Sequence, residues 1–417
     1  MNPVPYILPL FLSFSPGRNW QSFHQTLQNK PMHIHWVSQG DVGNSMLNSN
    51  HLFEIAGGGF IDQPMKTAIE GNLGGRNRIG LDLGTELFFT KLNDSLFGRD
   101  DWGYYVGASY RMMGDVGMSS DAMRLLLNGN GPYRGETLDL TGTRGDFSTF
   151  QKIQFGFIKT WRPKRENGWH HQLGFSISYV NGNINRAFDL GESSLYTDPD
   201  GQYLDMQVRD MQFSSSDPDR NSFFFPNGTG AATSLFYEMG NSRHTFSVAL
   251  NDLGFIGWND LSPQTRVLGD FRWEGFVIPN LANIGENFFE DYGDSLRATH
   301  LLEEANVART TLMPFQVSLG YAYRIPSWSF IAGVDWRPLR NHFPAARAAV
   351  VFQGVRWFQP ALTGGYGGYA RWNAGVDLAF LLRKSWVFGI QTAQIAGWFP
   401  NAFGSAWQAG FRMSKSF

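Results

Sequence analysis

The 417-residue chain contains no cysteine. That excludes disulfide frameworks, thiolate metal sites and cysteine nucleophiles. Long apolar runs are missing too: a membrane-spanning helix needs about 20 consecutive apolar residues, and the sequence offers no such stretch. Charge of one sign is not in excess, since 34 Lys and Arg stand against 36 Asp and Glu for a net −2. Neither a basic nucleic-acid surface nor an acidic tail follows from that balance. No block recurs at a fixed length, which disfavours a propeller. There is no G-x-S-x-G elbow, and the glycine-rich stretches IAGGGF (55–60) and GYGGYARWNAG (365–375) lack P-loop or dinucleotide spacing.

Glycine and aromatics are abundant instead: 48 Gly, 36 Phe, 14 Trp and 14 Tyr, at a mean hydropathy of −0.27. Many aromatics without apolar runs imply alternation, the pattern of strands that are apolar on one face only. The last fourteen residues show it plainly. Trp407, Ala409, Phe411, Met413 and Phe417 fall on one face, with Gln408, Gly410, Arg412, Ser414 and Ser416 on the other. A terminal aromatic closing such a strand resembles the assembly signal of outer-membrane β-barrels, carried here by Trp407, Phe411 and Phe417. The edge strand of a soluble β-sandwich would alternate in the same way.

The same period recurs along the chain. In 78–90, Leu81, Leu83, Leu87 and Phe89 oppose Asp82, Gly84, Glu86 and Phe88. Further alternating segments are 51–60, 102–112, 149–161, 171–180, 231–239, 244–252, 270–278, 313–323, 328–336, 345–353, 355–366, 369–382 and 385–395. Trp102, Trp161, Tyr179, Tyr323, Trp328, Trp336, Trp386 and Trp407 cluster near strand ends, where aromatic girdles of a lipid-facing barrel sit. This placement favours a barrel over a sandwich. Hydrocarbon leaves no partner for a free sheet edge, so the sheet must close on itself.

The expected fold is all-β: a transmembrane, antiparallel, up-and-down barrel of about fourteen strands (range 12–16), even-numbered as in bacterial barrels. SSDAMRLLLNGNG (119–131) reads as a short capped helix ending at glycine. Residues 1–18 read as an atypical export segment and 19–50 as an N-terminal extension or plug, leaving 51–417 as the barrel. The polar segment 181–229 reads as a long loop, and 279–311 as a helical or irregular insertion. Counting back from a periplasmic C-terminus puts 279–311 outside the cell but 181–229 on the periplasmic side, where connections are short. At least one middle strand is therefore miscounted.

Several stretches form an ordered series: LLLNGNGPYRG (125–135), ALNDLGFIGWND (249–260), FRWEGF (271–276), DYGDSL (291–296) and TTLMPFQVSLGYAY (310–323). Over roughly 50–417 the series resembles a family of Bacteroidota outer-membrane proteins of unknown function. That family looks related to fatty-acid-transporter-like barrels and to barrels accompanying gliding motility and type IX secretion. The Asn-Pro-Ala start common in such proteins is replaced here by SMLNSNHLFEI (45–55). The resemblance implies fold and an outer-membrane location, and brings no established activity.

Candidate chemistry is sparse. His33 and His35 share a strand face, and His170 and His171 point to opposite faces, but neither pair has the further ligands a metal needs. No cofactor and no catalytic set is expected. Asp82, Glu86, Arg111, Lys152, Asp335, Arg337, Asp377 and Arg412 fall on lumen faces with both signs mixed, a pattern of salt-bridged bracing rather than of a single-sign selectivity ring. Three functions remain open: a transporter-like barrel for a small or hydrophobic solute, an accessory barrel of a surface or secretion complex, and a rim-sited hydrolase. Expected partners are outer-membrane lipid, the barrel-assembly machinery and, in the second case, a surface or secretion complex. Nucleic acid is not among them.

Overall fold

The computed structural model describes residues 32–417 apart from 97–98, 162–167, 218–225, 275–301, 356, 383–384 and 401–403. In chain order its strands are β1 (Met32–Asn44), β2 (Asn77–Leu96), β3 (Arg99–Met118), β4 (Thr137–Asp139), β5 (Arg144–Trp161), β6 (His170–Asp189), β7 (Ser193–Thr197), β8 (Leu204–Ser215), β9 (Gly228–Gly240) and β10 (His244–Trp258). They continue as β11 (Pro263–Trp273), β12 (Leu302–Asn306), β13 (Arg309–Leu312), β14 (Gln316–Ile325), β15 (Trp328–Trp336), β16 (Phe343–Phe352), β17 (Phe358–Gly368), β18 (Trp372–Leu382), β19 (Trp386–Thr392) and β20 (Ala406–Ser416). Three helices join them: α1 (Ser49–Ala56), α2 (Gln63–Gly71) and α3 (Ser120–Asn128).

Among the described residues the sheet closes into a barrel of fourteen antiparallel wall strands. The ring runs β1, β2, β3, β5, β6, β9, β10, β14, then β15 to β20 in order, and back to β1. Closure is made by β20 on β1, in register from His33↔Ser416 to Gly43↔Ala406. The Phe417 amide donates to the Met32 carbonyl at 2.9 Å. β13 pairs with the upper part of β10 and leads into β14, so the two serve as one wall strand.

Three expectations need correction. The barrel begins at Met32, not at residue 51: β1 lies in the stretch read as an extension, and residues 1–31 lie outside the described ones. HLFEIAGGGF is not a strand. Residues 49–56 form α1, started by a capping box between Asn48 and His51. The expected strand 270–278 is not in the wall either, since its described part belongs to β11, which pairs with β8 and β12. Segments 181–229 and 279–311 are more regular than expected. The first holds the end of β6 with β7 and β8, and the described part of the second holds β12 and β13.

Removing 270–278 from the wall also resolves the sidedness conflict. Connections 97–98, 162–169, 241–243, 326–327, 353–357 and 383–385 all lie at the end where β1 starts and β20 stops. Connections 45–76, 119–143, 190–227, 259–308 and 393–405 lie at the other. All the long excursions therefore leave from one end.

Outward positions are apolar and lipid-like in their exposure: Ile153 is 62 % and Leu362 69 % accessible. Aromatics bound this band on both sides. At the short-connection end, Trp328 packs on Phe352 and Phe358 on Phe380 with ring centroids 5.0 and 5.1 Å apart. At the long-connection end, Tyr366 meets Trp372 at 4.9 Å and Phe315 meets Trp336 at 6.0 Å. An apolar belt with such girdles is stable against hydrocarbon and costly against water. The aromatics expected to form the assembly signal face outward too: Phe411 packs edge-on against Trp36, Trp407 against Phe53, and Phe417 is half exposed.

α3 forms where the sequence placed a helix. Ser119 caps it by accepting from the Ala122 amide at 3.0 Å, and it stops at Gly129, whose φ of 69° suits glycine. Its Met123 packs with Met46, Met65 and Ile69 into a small apolar cluster with α2 at the long-connection end. The helix therefore belongs to that cluster, and the side chains that cross the lumen come from the wall.

Candidate functional site

The lumen is layered. Near the short-connection end, Phe88, Leu92, Tyr105, Ile158, Phe236 and Ala249 pack on one side. Ile331, Ala349, Val351, Ala361 and Ala379 pack on the facing side. Above these sits a belt of buried charge. Every lumen charge anticipated from alternation is there and buried: Asp82, Glu86, Arg111, Lys152, Asp335, Arg337, Asp377 and Arg412.

Their contacts cross the lumen. Arg111 Nε and Nη2 donate to the two Asp82 oxygens at 3.1 Å each, a bidentate fork between neighbours β3 and β2. Arg337, just past β15 on the far side of the ring, reaches the same Asp82 at 2.5 Å. Asp252 on β10 receives Lys152 of β5 at 2.5 Å and lies 3.6 Å from Arg111. Five side chains thus tie β2, β3, β5, β10 and the end of β15 together through the barrel's middle. Asp377 and Arg412 form a separate bidentate pair at 2.6 and 2.8 Å between β18 and β20, with Gln391 of β19 beside it.

Asp252 is the residue that alternation misses. Residues 245, 247, 249 and 251 point inward, which would send 252 to the lipid. A bulge in the β10–β9 pairing between Leu250 and Leu253 turns both Asn251 and Asp252 inward. Asp252 is, among the described residues, the one non-glycine residue with positive φ, 61°, a region Asp tolerates better than most. Its amide donates to Ser234 Oγ at 3.0 Å. The sequence signal was the Asn-Asp pair interrupting an apolar strand.

His33 and His35 are both buried on the lumen face of β1, as their spacing implied. His171 meets the outward Tyr237 hydroxyl at 2.7 Å, while His170 lies 3.8 Å from buried Glu238, so the adjacent pair does split between faces. Among the described residues no three metal-ligating side chains come together. GYGGYARWNAG holds the turn between β17 and β18: Gly367 and Gly368 take φ of 117° and 71°, and Tyr369 folds into the lumen over Gly80, where a Cβ would overlap its ring.

Two cavities lie above the charge belt, near the upper ends of β2, β3, β5 and β6. One is a vestibule of about 350 Å³ inside the lumen, with Phe150, Ile256, Trp258 and Met313 on one side and Asp115, Arg144, Asp146 and Asn341 among its polar groups. The other, about 640 Å³, lies against Leu81, Val116, Phe147, Phe188, Phe213 and Pro263, and is mostly apolar. They share Gly114, Gly145, Asp146, Ala187, Phe188 and Ser214, so they adjoin across the same stretch of sheet.

Fold and site together define a transmembrane β-barrel whose lumen is crossed by wall-borne salt bridges below a vestibule. The chain belongs to a family of unknown function, DUF5723, whose pattern matches residues 37–390. No curated protein matches it. Among solved structures it is similar to the toluene transporter TodX of Pseudomonas putida (8 % identity, 99 % of this chain and 93 % of that one, TM-score 0.40). It is also similar to a FadL homologue of Pseudomonas aeruginosa (11 %, 93 % and 90 %, 0.40) and to the outer-membrane phospholipase A of Escherichia coli (10 %, 91 % and 92 %, 0.26). Barrels this distant include transporters and an enzyme, and they do not assign a role.

Proposed function

We propose that the protein resides in the outer membrane and works there as a transporter-like barrel for small or hydrophobic solutes, without an enzymatic role. The adjoining cavities are the observation that carries this reading. An apolar pocket of about 640 Å³ and a partly polar vestibule of about 350 Å³ fall in the size range of small-molecule sites, and only a few wall residues separate them. Below the vestibule the salt bridges hold the lumen closed at rest, so passage requires them to part. Expression in the outer membrane of a host cell should speed entry of the hydrophobic probe N-phenylnaphthylamine. Gly114→Phe, which projects a ring beside Leu81 and Phe147, should reduce that gain. An entry rate equal to that of cells lacking the protein would remove the reading.

A second reading rests on the sheet β4–β7–β8–β11–β12, which extends the wall at the long-connection end. A barrel anchoring a surface or secretion complex would use such an extension, and it predicts stoichiometric co-purifying partners with no solute entry. In either case we propose that Trp407, Phe411 and Phe417 serve as the signal read by the barrel-assembly machinery. Phe417→Ala should then lower the folded fraction in cells while leaving refolding from urea into detergent unchanged.

A further inference from the structure

The vestibule's polar groups are only partly matched among themselves. Asp115 and Asp146 are register partners on β3 and β5, so two inward carboxylates stand side by side. Like charges directly opposite destabilise a strand pair unless something cationic meets them. Asp115 is 7 % exposed, and its Oδ2 accepts long bonds from the Asn341 amide and Nδ2 at 3.4 and 3.3 Å. Its Oδ1 is buried, and the group that faces it is the neutral Tyr369 hydroxyl, which supplies no positive charge. Asn341 Oδ1 is buried and takes no hydrogen bond from the described residues.

Cationic groups nearby are likewise only partly spent. Arg144, one inward step above Asp146 on β5, has a buried Nε with no partner among the described residues. The adjacent Asp189 is shared between Arg144 and Arg340, which meets it at 3.3 Å. Arg309 spends Nη2 on Asn185 at 2.7 Å, and its Nε is buried and unbonded. Buried polar atoms left unpaired are costly, so several around one cavity mark a place where a polar guest is favoured. Another part of the cavity lining is apolar: Phe150, Ile256, Trp258 and Met313 belong to one buried cluster.

We propose that the vestibule binds a small zwitterion with an apolar side chain, an apolar amino acid or short peptide. Its ammonium meets Asp115 and Asp146, its carboxylate meets Arg144 and Arg309, and its side chain lies on the Phe150–Ile256–Trp258–Met313 wall. A purely apolar solute would leave both charge sets unanswered, and a simple carboxylate would leave the paired aspartates so. This rests on the transporter reading and narrows its solute class.

The test is calorimetric titration of the folded, full-length protein in detergent with the dipeptide leucyl-phenylalanine. Its N-acetyl and C-terminal amide derivatives, decanoate and toluene are titrated beside it. Binding of the free dipeptide is expected, with each blocked terminus weakening it at least tenfold. Asp146→Asn should weaken the free dipeptide but not the N-acetyl form, and Arg144→Gln the free dipeptide but not the amide. Decanoate or toluene binding as tightly as the dipeptide would overturn the proposal, and so would dipeptide binding indifferent to both blocked termini. If a variant fails to fold, the derivatives on the unaltered protein decide alone. Absence of dipeptide binding alongside protein-dependent entry of N-phenylnaphthylamine would sink the zwitterion class and leave the transporter reading standing. Dipeptide binding without probe entry would do the reverse.

Discussion

Strands β2, β3 and β6 run 20 residues and β5 runs 18, whereas β14 to β20 run between 7 and 11. At about 3.3 Å per residue and a tilt near 40°, 20 residues rise about 50 Å and 10 residues about 25 Å. The short half therefore just spans an apolar band, and the tall half stands beyond it. Both cavities lie toward the long-connection ends of the tall strands, as do the helices α2 and α3. Charge is arranged differently as well. In the short half, Asp377 and Arg412 clamp strands two apart in the ring, while the tall half sends Arg111, Lys152 and Asp252 across the lumen.

Mutations can break that division. Asp252→Ala leaves Lys152 and Arg111 buried without their shared counter-charge, which should cost about 3–5 kcal/mol and lower the temperature at which the unboiled band loses its fast gel mobility. Asp377→Ala should cost a similar amount while leaving the lumen closed. Conductance opened equally by both would erase the distinction. In the tall half, Phe150→Ala empties a fully buried site beside Val180 and Ile256 and should cost about 3–5 kcal/mol in urea titration. In the short half, Leu362→Ala on the outer face should cost less, about 2 kcal/mol, since it takes apolar surface from hydrocarbon but leaves no cavity behind. Ser119→Ala removes the α3 cap at about 1 kcal/mol, seen as faster amide exchange in 120–128 with no change in the wall strands.

The smallest effect is one of pH. Burial lowers the pKa of His51 below its ordinary 6.5, and its Nδ1 accepts from the Asn48 amide in the α1 capping box. The neutral ring is the favoured one in the folded protein. Its contribution is full above pH 6.5 and is lost as pH falls through the lowered value. Protection of the α1 amides, taken relative to their intrinsic exchange at each pH, should fall a few-fold between pH 7.5 and 5, and protection that rises on acidification would contradict the sign.

Alternation made most of the wall legible, because one face of each strand meets lipid and the other a polar lumen. It gave eight of the lumen charges residue by residue, but not Asp115 or Glu238. It failed where the backbone breaks step or where the faces blur. At Asp252 a bulge reverses the parity. In β1, small or polar Ser38 and Gly40 share the outward face with Ile34 and Trp36, while Val37 sits inward, so the strand showed no clean period. β11 alternates like a wall strand but pairs with β8 and β12 above the wall, which no local pattern reveals. α1 escaped because its capping box uses His51 where Glu or Gln is usual. The vestibule was unreadable in advance, since Asp115, Arg144 and Trp258 meet only through the closed ring.

Single-channel recording in planar bilayers tests the cross-lumen closure most directly. The unaltered barrel should insert and stay silent, and Asp252→Ala, confirmed folded by its heat-modifiable gel mobility, should give discrete conducting events. A steadily conducting unaltered barrel, or a folded Asp252→Ala barrel as silent as the original, would contradict a lumen held shut by these salt bridges.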